Sequence, residues 1–407
     1  MMKTAIAALA FFLAGHALAG TIKIAPGADA GARLQEALIL AAPGDVIELA
    51  AGRYDLVEGL SLDVDDVSVK GAGMDRTVLS FAGQISGAEG LLVTSDRVTL
   101  ADFAIEDTKG DGIKAKGVKE ISFRNIRVEW TGGPRETNGA YGLYPVESED
   151  VLIEGTHVIG ASDAGIYVGQ SERIVVRNSV AERNVAGIEI ENSFLADVHG
   201  NRAVHNSGGI LVFDLPDLPR QGGHGVRVFD NIVADNMTEN FAPKGNIVAS
   251  VPRGTGLMIM ANRDVEVFAN RFSGNGTADV LVIAYPFDHE DENYRPYPYG
   301  ISLHDNGYSD LAFDPPASGV GEVLTKRLAG EGAHIVWDGV APLGRLIFGM
   351  SRADRLMIDE PEGTRFANLR MVADALLPWR AGISRDISAH KGRHPPLPPV
   401  RLPQDMR

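Results

Sequence analysis

The sequence predicts an all-β protein, a single-stranded right-handed parallel β-helix with an N-terminal capping helix and an irregular C-terminal cap. Three observations carry this. A short unit recurs between about residues 60 and 285: a β-branched strand, a polar turn often holding Asn, a second strand, then Gly-Ile or Gly-Leu opening a third. The opening glycines are Gly112, Gly142, Gly165, Gly187, Gly209 and Gly256, spaced by 30, 23, 22, 22 and 47 residues, so one unit takes about 22 residues with insertions. Within units the side chains alternate with period two: Ile188 and Ile190 face one way, Glu189 and Glu191 the other. A unit this short holds three brief strands and no helix. Propeller blades need about 40–45 residues, and leucine-rich repeats carry a different Leu and Asn pattern. Coils stacked about 4.8 Å apart, with Ile and Val columns inside, satisfy the pattern and give nine or ten coils (roughly) over residues 60–285.

The elements follow in order. Residues 1–19, MMKTAIAALAFFLAGHALA, read as an export signal: Lys3, an apolar run from Ala5 to Leu13, and a small-residue cleavage site at Ala17-Leu18-Ala19. The run is too short for a permanent membrane span. Residues 20–60 form an N-terminal cap, with an amphipathic helix at about 30–42 plugging the first coil, because a solenoid's open end must be covered. Residues 61–285 are the coils. Residues 286–407 lose the pattern and end in HPPLPPVRLPQDMR, read as a C-terminal cap and a mobile Pro-rich tail that cannot pair in a ladder.

Composition narrows the function. With 44% hydrophobic residues in 407, the chain can build a large core, which excludes disorder as its main description. It has no cysteine, which excludes disulfides, thiolate metal sites, Cys nucleophiles and a lipidated N-terminal Cys. The net charge of −16 argues against nucleic acid or an anionic membrane as partner, and against polyanionic glycans unless a local basic groove or bridging cation intervenes. An exported chain without cysteine fits a soluble periplasmic or secreted protein of a bacterium.

The stretch containing GIEIENS, GGILVFDLP and VPRGTG resembles an exported family of parallel β-helix repeat proteins, over most of residues 20–285. The resemblance implies the pectin-lyase-like fold and export. Members often accompany a second exported protein, so a protein partner is one expectation. The family brings no established reaction, and no catalytic residue is carried over from it.

Candidate sites come from the outward positions. In register, Tyr144, Tyr167, Glu189, Leu211 and Met258 form one outer row, and Val146, Gly169, Glu191, Phe213 and Met260 the next. Tyr144 and Tyr167 can stack on sugar rings, and paired carboxylates such as Glu189 and Glu191 can act as acid and base in glycoside cleavage. The structural alternative is a solvated face, with the Leu, Phe and Met pairs lying beneath the C-terminal segment. FDLPDLPRQGGHG breaks the coil pattern with a long turn beside Glu191; Asp214 and His224 join the catalytic candidates there, and Arg220 with Asn192 the substrate-binding ones. Its Gly-His-Gly is similar to that of polygalacturonase-type hydrolases, whose acidic motifs are missing here, and a structured loop is the alternative. FDHEDENY gathers Asp288, His289, Glu290 and Asp291, which could hold Ca²⁺ or be a solvated acidic turn. Lys114, Lys116, Arg124 and Arg127 interleave with acids and read as a mixed-charge face. Asn178, Asn201, Asn231 and Asn270 recur at one turn and read as structural, through αL tolerance or side-chain ladders. Met258 and Met260 read as packing rather than a metal site. The expectation is carbohydrate binding or processing, by a lyase, epimerase or glycosidase if catalytic, or else a non-catalytic scaffold for a second exported protein.

Overall fold

A computed structural model describes residues 19–406 except 310, 343, 346–348 and 373–381. The export signal of residues 1–19 thus falls, all but Ala19, outside the described residues. Three parallel sheets run the length of the chain, and every ladder joins a strand to its counterpart one coil later. Among the described residues sheet A has 12 strands, sheet B 10 and sheet C 11. One coil contributes one strand to each: Ala164–Gly169 to sheet C, Glu172–Arg177 to sheet A and Val180–Glu182 to sheet B.

The recurring Gly-Ile has a steric origin. A Cβ on Gly112, Gly142, Gly187 or Gly209 would stand 2.5–2.6 Å from the carbonyl oxygen of the next glycine in the column. Only glycine fits there, so the column is the mark of coils stacked backbone to backbone. Inside, Ile166, Ile188, Ile210 and Leu257 stack in register with no solvent exposure.

Asparagine ladders hold two corners. In one, three hydrogen bonds from Nδ2 to the next Oδ1, at 2.9–3.0 Å, link Asn201, Asn231, Asn270 and Asn306 in turn. In the other, three more link Asn184, Asn206, Asn236 and Asn275 at 3.0–3.1 Å. Asn178 departs from its expected place. It is the neighbouring αL residue, with φ +52°, and Ser179 takes the ladder position by donating its N–H to Asn201 Oδ1. The two reasons for Asn at this turn therefore apply to adjacent residues.

The coils exceed the expected 61–285. Sheet A begins at Thr21–Ile24 and ends at Met357–Asp359; sheet C reaches Phe366–Asn368. After Tyr299–His304 the later strands are only three residues long and separated by insertions, which erases the period from the sequence. Helix Ala30–Leu40 buries Ala30, Leu34, Ala37 and Leu38 against the first coils.

The tail also differs from expectation. It is not free: residues 394–406 lie across the outer face of sheet A. His394 N–H reaches Ser302 Oγ at 3.3 Å, Leu397 N–H reaches Glu266 Oε2 at 3.0 Å, and Val400 N–H reaches Asp197 Oδ2 at 3.1 Å. Leu402 and Met406 pack on Leu152 and Val175. Proline does preclude ladder pairing, but it also removes donors that would need partners. Three of the N–H groups left, on His394, Leu397 and Val400, find side-chain acceptors on sheet A.

Candidate functional site

The outer face of sheet C carries three columns of side chains. Tyr141, Ala164, Ala186 and Gly208 form the first. Lys114 pairs with Tyr144, and Tyr167, Glu189, Leu211 and Met258 continue that column. Val146, Gly169, Glu191, Phe213 and Met260 make the third. These are the rows read from the sequence. Polarity changes along them, from Lys114 and the tyrosines through the two glutamates to aliphatic and Met side chains.

The face is not open. The insertion before Thr255 carries a 3₁₀ turn, Ile247–Ser250, whose Val248, with Val251 just after it, joins the buried cluster of Tyr167, Leu211 and Met258. Helix Gly319–Leu328 and Tyr294 cover the aliphatic end. Glu189 is left 3% exposed and Glu191 9%. The solvated face considered above is therefore a covered one. The 47-residue step from Gly209 to Gly256 announced an insertion but not where it folds back.

Under the cover the two glutamates differ. Tyr167 donates its hydroxyl to Glu191 Oε1 at 2.6 Å. Gly169 permits this, since a Cβ there would lie 2.3 Å from that hydroxyl. Glu189 Oε2 is buried with no hydrogen-bond partner among the described residues. Asp163 faces the same group and accepts from Asn246 Nδ2 of the cover at 3.1 Å. Burial, reinforced by Asp163 and Glu191, holds the Glu189 carboxyl well above the usual carboxylate range. Burial also raises Asp163 and Glu191, opposed in Glu191 by the Tyr167 hydrogen bond. Asp111, at the open end, is pushed up to about 6 by burial. Tyr141, Tyr144 and Tyr167 pack on one another with ring centroids 4.4–5.0 Å apart, and Lys114 sits 4.8 Å over Tyr144. Asp111, Lys114, Tyr141 and Tyr144 are half-buried, so the carboxyl row emerges from the cover there.

The loop after Phe213 holds the other candidates, with different outcomes. Asn192 is fully buried, and its amide is spent on the loop: Nδ2 donates to the Leu215 and Arg220 carbonyls, and Oδ1 accepts from Leu215 N–H. Arg220 pairs with Glu172 at 3.0 Å and lies over Phe194. The Asn192 amide thus serves the loop, whereas Arg220, partly exposed, holds the loop to Glu172 at its edge. Asp214 accepts from Gly222 and Gly223 N–H at 3.2 and 2.8 Å, and burial pushes it up to about 6. His224 turns Nδ1 to the Gly222 carbonyl at 2.9 Å.

In the acidic turn, Asp291 accepts from Gln221 and from Asn293 N–H, and His289 packs on Tyr294. Among the described residues no three His, Asp or Glu side chains come together as a metal-holding group. Lys114, Lys116, Arg124 and Arg127 each pair with a glutamate, giving the mixed-charge face. Met258 and Met260 are packed under the cover. Sequence reasoning missed Asp111, Tyr141, Asp163, Asn246 and Tyr294. Asp111 and Asp163 stand just before Gly-Ile openings, in DGI and DAGI, and that position was the available signal.

With the geometry in place, comparison with known proteins agrees on architecture. Residues 75–217 match the family model described as a right-handed β-helix region. The fold is the pectin-lyase-like right-handed parallel β-helix. DFA-IIIase from Arthrobacter chlorophenolicus A6, solved in complex with DFA-III, shares this β-helix with a TM-score of 0.53 and 13% identity, over 78% of this chain and 92% of that one. The same enzyme without its lid, in complex with GF2, gives 0.52 and 13% over 83% and 98%. The mannuronan C-5 epimerase A-module of Azotobacter vinelandii gives 0.46 and 15% over 82% and 91%. No curated protein matches the chain in sequence. Among the described residues of this β-helix, no helix is long and apolar enough to cross a membrane.

Proposed function

We propose that this β-helix processes an oligosaccharide or polysaccharide at the outer face of sheet C, with Glu191 and Glu189 as its acid–base pair. One observation carries the reading: two carboxyls on one strand stand in unlike surroundings. Glu191 is anchored by the Tyr167 hydroxyl, whereas buried Glu189 Oε2 has no donor. A hydrogen bond to a carboxylate favours its anion, and desolvation without one favours the neutral acid. Pairs of titratable groups pushed apart in this way are the usual source of a base and an acid at neutral pH. Glu191 takes the base role and Glu189 the proton-bearing one. Tyr144 and Tyr141, at the open end, supply rings on which sugars stack, and Asp163 tunes the pair. Substrate reaches the glutamates when the 241–251 cover lifts. On the reading of residues 1–19 as an export signal, this activity lies outside the cytoplasm, in the periplasm or medium. The reaction class is elimination, epimerisation or glycoside hydrolysis.

Proton NMR of the chain lacking residues 1–19, mixed with neutral and uronic-acid polysaccharides in D₂O with calcium present, tests it. Olefinic, reducing-end or exchanged H5 signals are expected from wild type, falling by about 10²-fold or more in Glu191→Gln. Turnover unchanged in Glu191→Gln and Glu189→Gln removes the pair from catalysis. A second reading, a scaffold docking another exported protein, is favoured by exposed Phe287 and Val323 around an apolar cavity of about 330 Å³ lined by Leu281, Tyr285 and Leu324. A silent panel together with a stoichiometric co-purifying partner selects it.

A further inference from the structure

A second cavity, of about 190 Å³, lies between the loop after Phe213 and residues 293–299. Arg263 lines it, at the start of strand Arg263–Phe268, in register between His224 and Tyr299. Its guanidinium is poorly provided for. Nη1 has only Tyr299 Oη, at 3.4 Å. Nη2 lies 3.4 Å from His224 Nδ1, but that nitrogen is 2.9 Å from the Gly222 carbonyl. A carbonyl only accepts, so Nδ1 carries its proton toward Gly222 and has no lone pair left for the arginine. Nε is buried without a partner. Among the described residues no carboxylate forms an ion pair with Arg263, whereas Arg173 and Arg127 each hold two or more. Asp214, the acid in the cavity wall, already accepts the amides of Gly222 and Gly223. A half-buried guanidinium with idle N–H groups facing a cavity is a receptor for an oxyanion such as a carboxylate, which it grips with two parallel hydrogen bonds.

We infer that the Arg263 cavity is an oxyanion subsite that takes the carboxylate of an acidic sugar. The sugar part of this assignment rests on the carbohydrate reading above. Position supports it: Asp214 directly follows Phe213, which is in register with Glu191, and Tyr294 joins the cavity wall to the Asp214 carbonyl. An acid bound at Arg263 therefore lies at the end of the carboxyl row. Arg263 and Arg295 in the cavity wall, set against the single acid Asp214, supply the local positive charge that a chain of net charge −16 needs to accept an anionic glycan.

Calorimetric titration with D-galacturonate, D-glucose and sulfate tests the subsite without requiring turnover. Galacturonate binding that exceeds glucose binding, is competed by sulfate and weakens about tenfold in Arg263→Gln is the expected result. Tyr299→Phe, which keeps the cation, should weaken it a few-fold, and Arg263→Lys should fall between wild type and Arg263→Gln. Thermal midpoints of the variants confirm that they are folded. Equal binding of galacturonate and glucose, or wild-type affinity in Arg263→Gln, overturns the subsite. Sulfate binding without galacturonate binding overturns the acidic-sugar assignment. Galacturonate bound through Arg263 with no polysaccharide turned over leaves the subsite standing and removes the catalytic reading; turnover indifferent to Arg263 does the reverse.

Discussion

Glu189 and Glu191 are two residues apart, chemically identical, and separated in behaviour by one hydroxyl. The Tyr167–Glu191 hydrogen bond is buried, so its loss leaves a desolvated carboxyl without a donor, at a cost of about 1–3 kcal/mol. Tyr167→Phe should lower the thermal midpoint and raise the Glu191 pKa, readable as a carboxyl shift in ¹³C-glutamate NMR. Gly169→Ala should disturb the same contact sterically, because its Cβ would meet the Tyr167 ring. The pH dependence has a definite sign. Asp111 and Asp214 are raised to about 6, and burial raises Glu189 well above the usual carboxylate range, so the folded chain holds protons that the unfolded chain has released. Their contribution to stability is complete below about pH 4 and is lost as pH rises through about 6 and beyond. Glu189→Gln mimics the protonated form. It should match wild type at pH 4.5 and exceed it by a few degrees at pH 8 in thermal unfolding. A constant offset across that range would mean that Glu189 does not titrate there.

At the scale of elements, the corners decide more than the strands. Asn206 donates to the Ala181 carbonyl and Asn236 Oδ1 while accepting from the Asn184 N–H and Nδ2. Asn206→Ala orphans several buried groups at once, at about 1–3 kcal/mol each. Asn178→Gly, at an αL position outside the ladder, should stay within about 0.5 kcal/mol of wild type. Denaturant midpoints of the two variants separate these roles, although both residues are the same amino acid at a corner, Asn178 after a strand of sheet A and Asn206 after one of sheet B. The cover over sheet C is a different kind of element. It is held to the acidic row by Asn246 and by the apolar contacts of Val248 and Val251. Asn246→Ala should free Asp163 and increase hydrogen exchange across 241–251 without changing exchange in the coils.

Over the whole molecule, the tail acts as a strap crossing sheet A from Ser302 to Leu152. Leu402 and Met406 bury apolar side chains worth about 1.5–3 kcal/mol each, and the tail N–H groups neutralise demand from Glu266 and Asp197. Ending the chain at Gly392 should expose Leu152 and Val175, lower the thermal midpoint by several degrees and increase binding of an apolar dye. Because the coils contact mainly their neighbours, exchange protection should fall most in sheet A.

The repeat was legible because the physics that imposes it is local. Stacked coils require glycine where backbones nearly touch, β-branched residues inside, and Asn at the corners, and each demand recurs about every 22 residues. The outer rows of sheet C were legible for the same reason, since register follows from the period. That the C-terminal segment lies over the Leu, Phe and Met end could be expected from their apolarity, but what covers the glutamates could not, because that cover and the strap come from an insertion and a terminus that carry no period. Their positions depend on contacts between residues such as Asn246 and Asp163, 83 apart in the chain, or Val400 and Asp197, 203 apart. Sequence alone determined the coil, its register and the pairing of Glu189 with Glu191. Only the tertiary structure decided that these glutamates are buried and unequal, that Asn192 and Arg220 serve their own loop, and that Arg263 lacks an anion, because burial and unmet hydrogen bonds are properties of what folds over a residue.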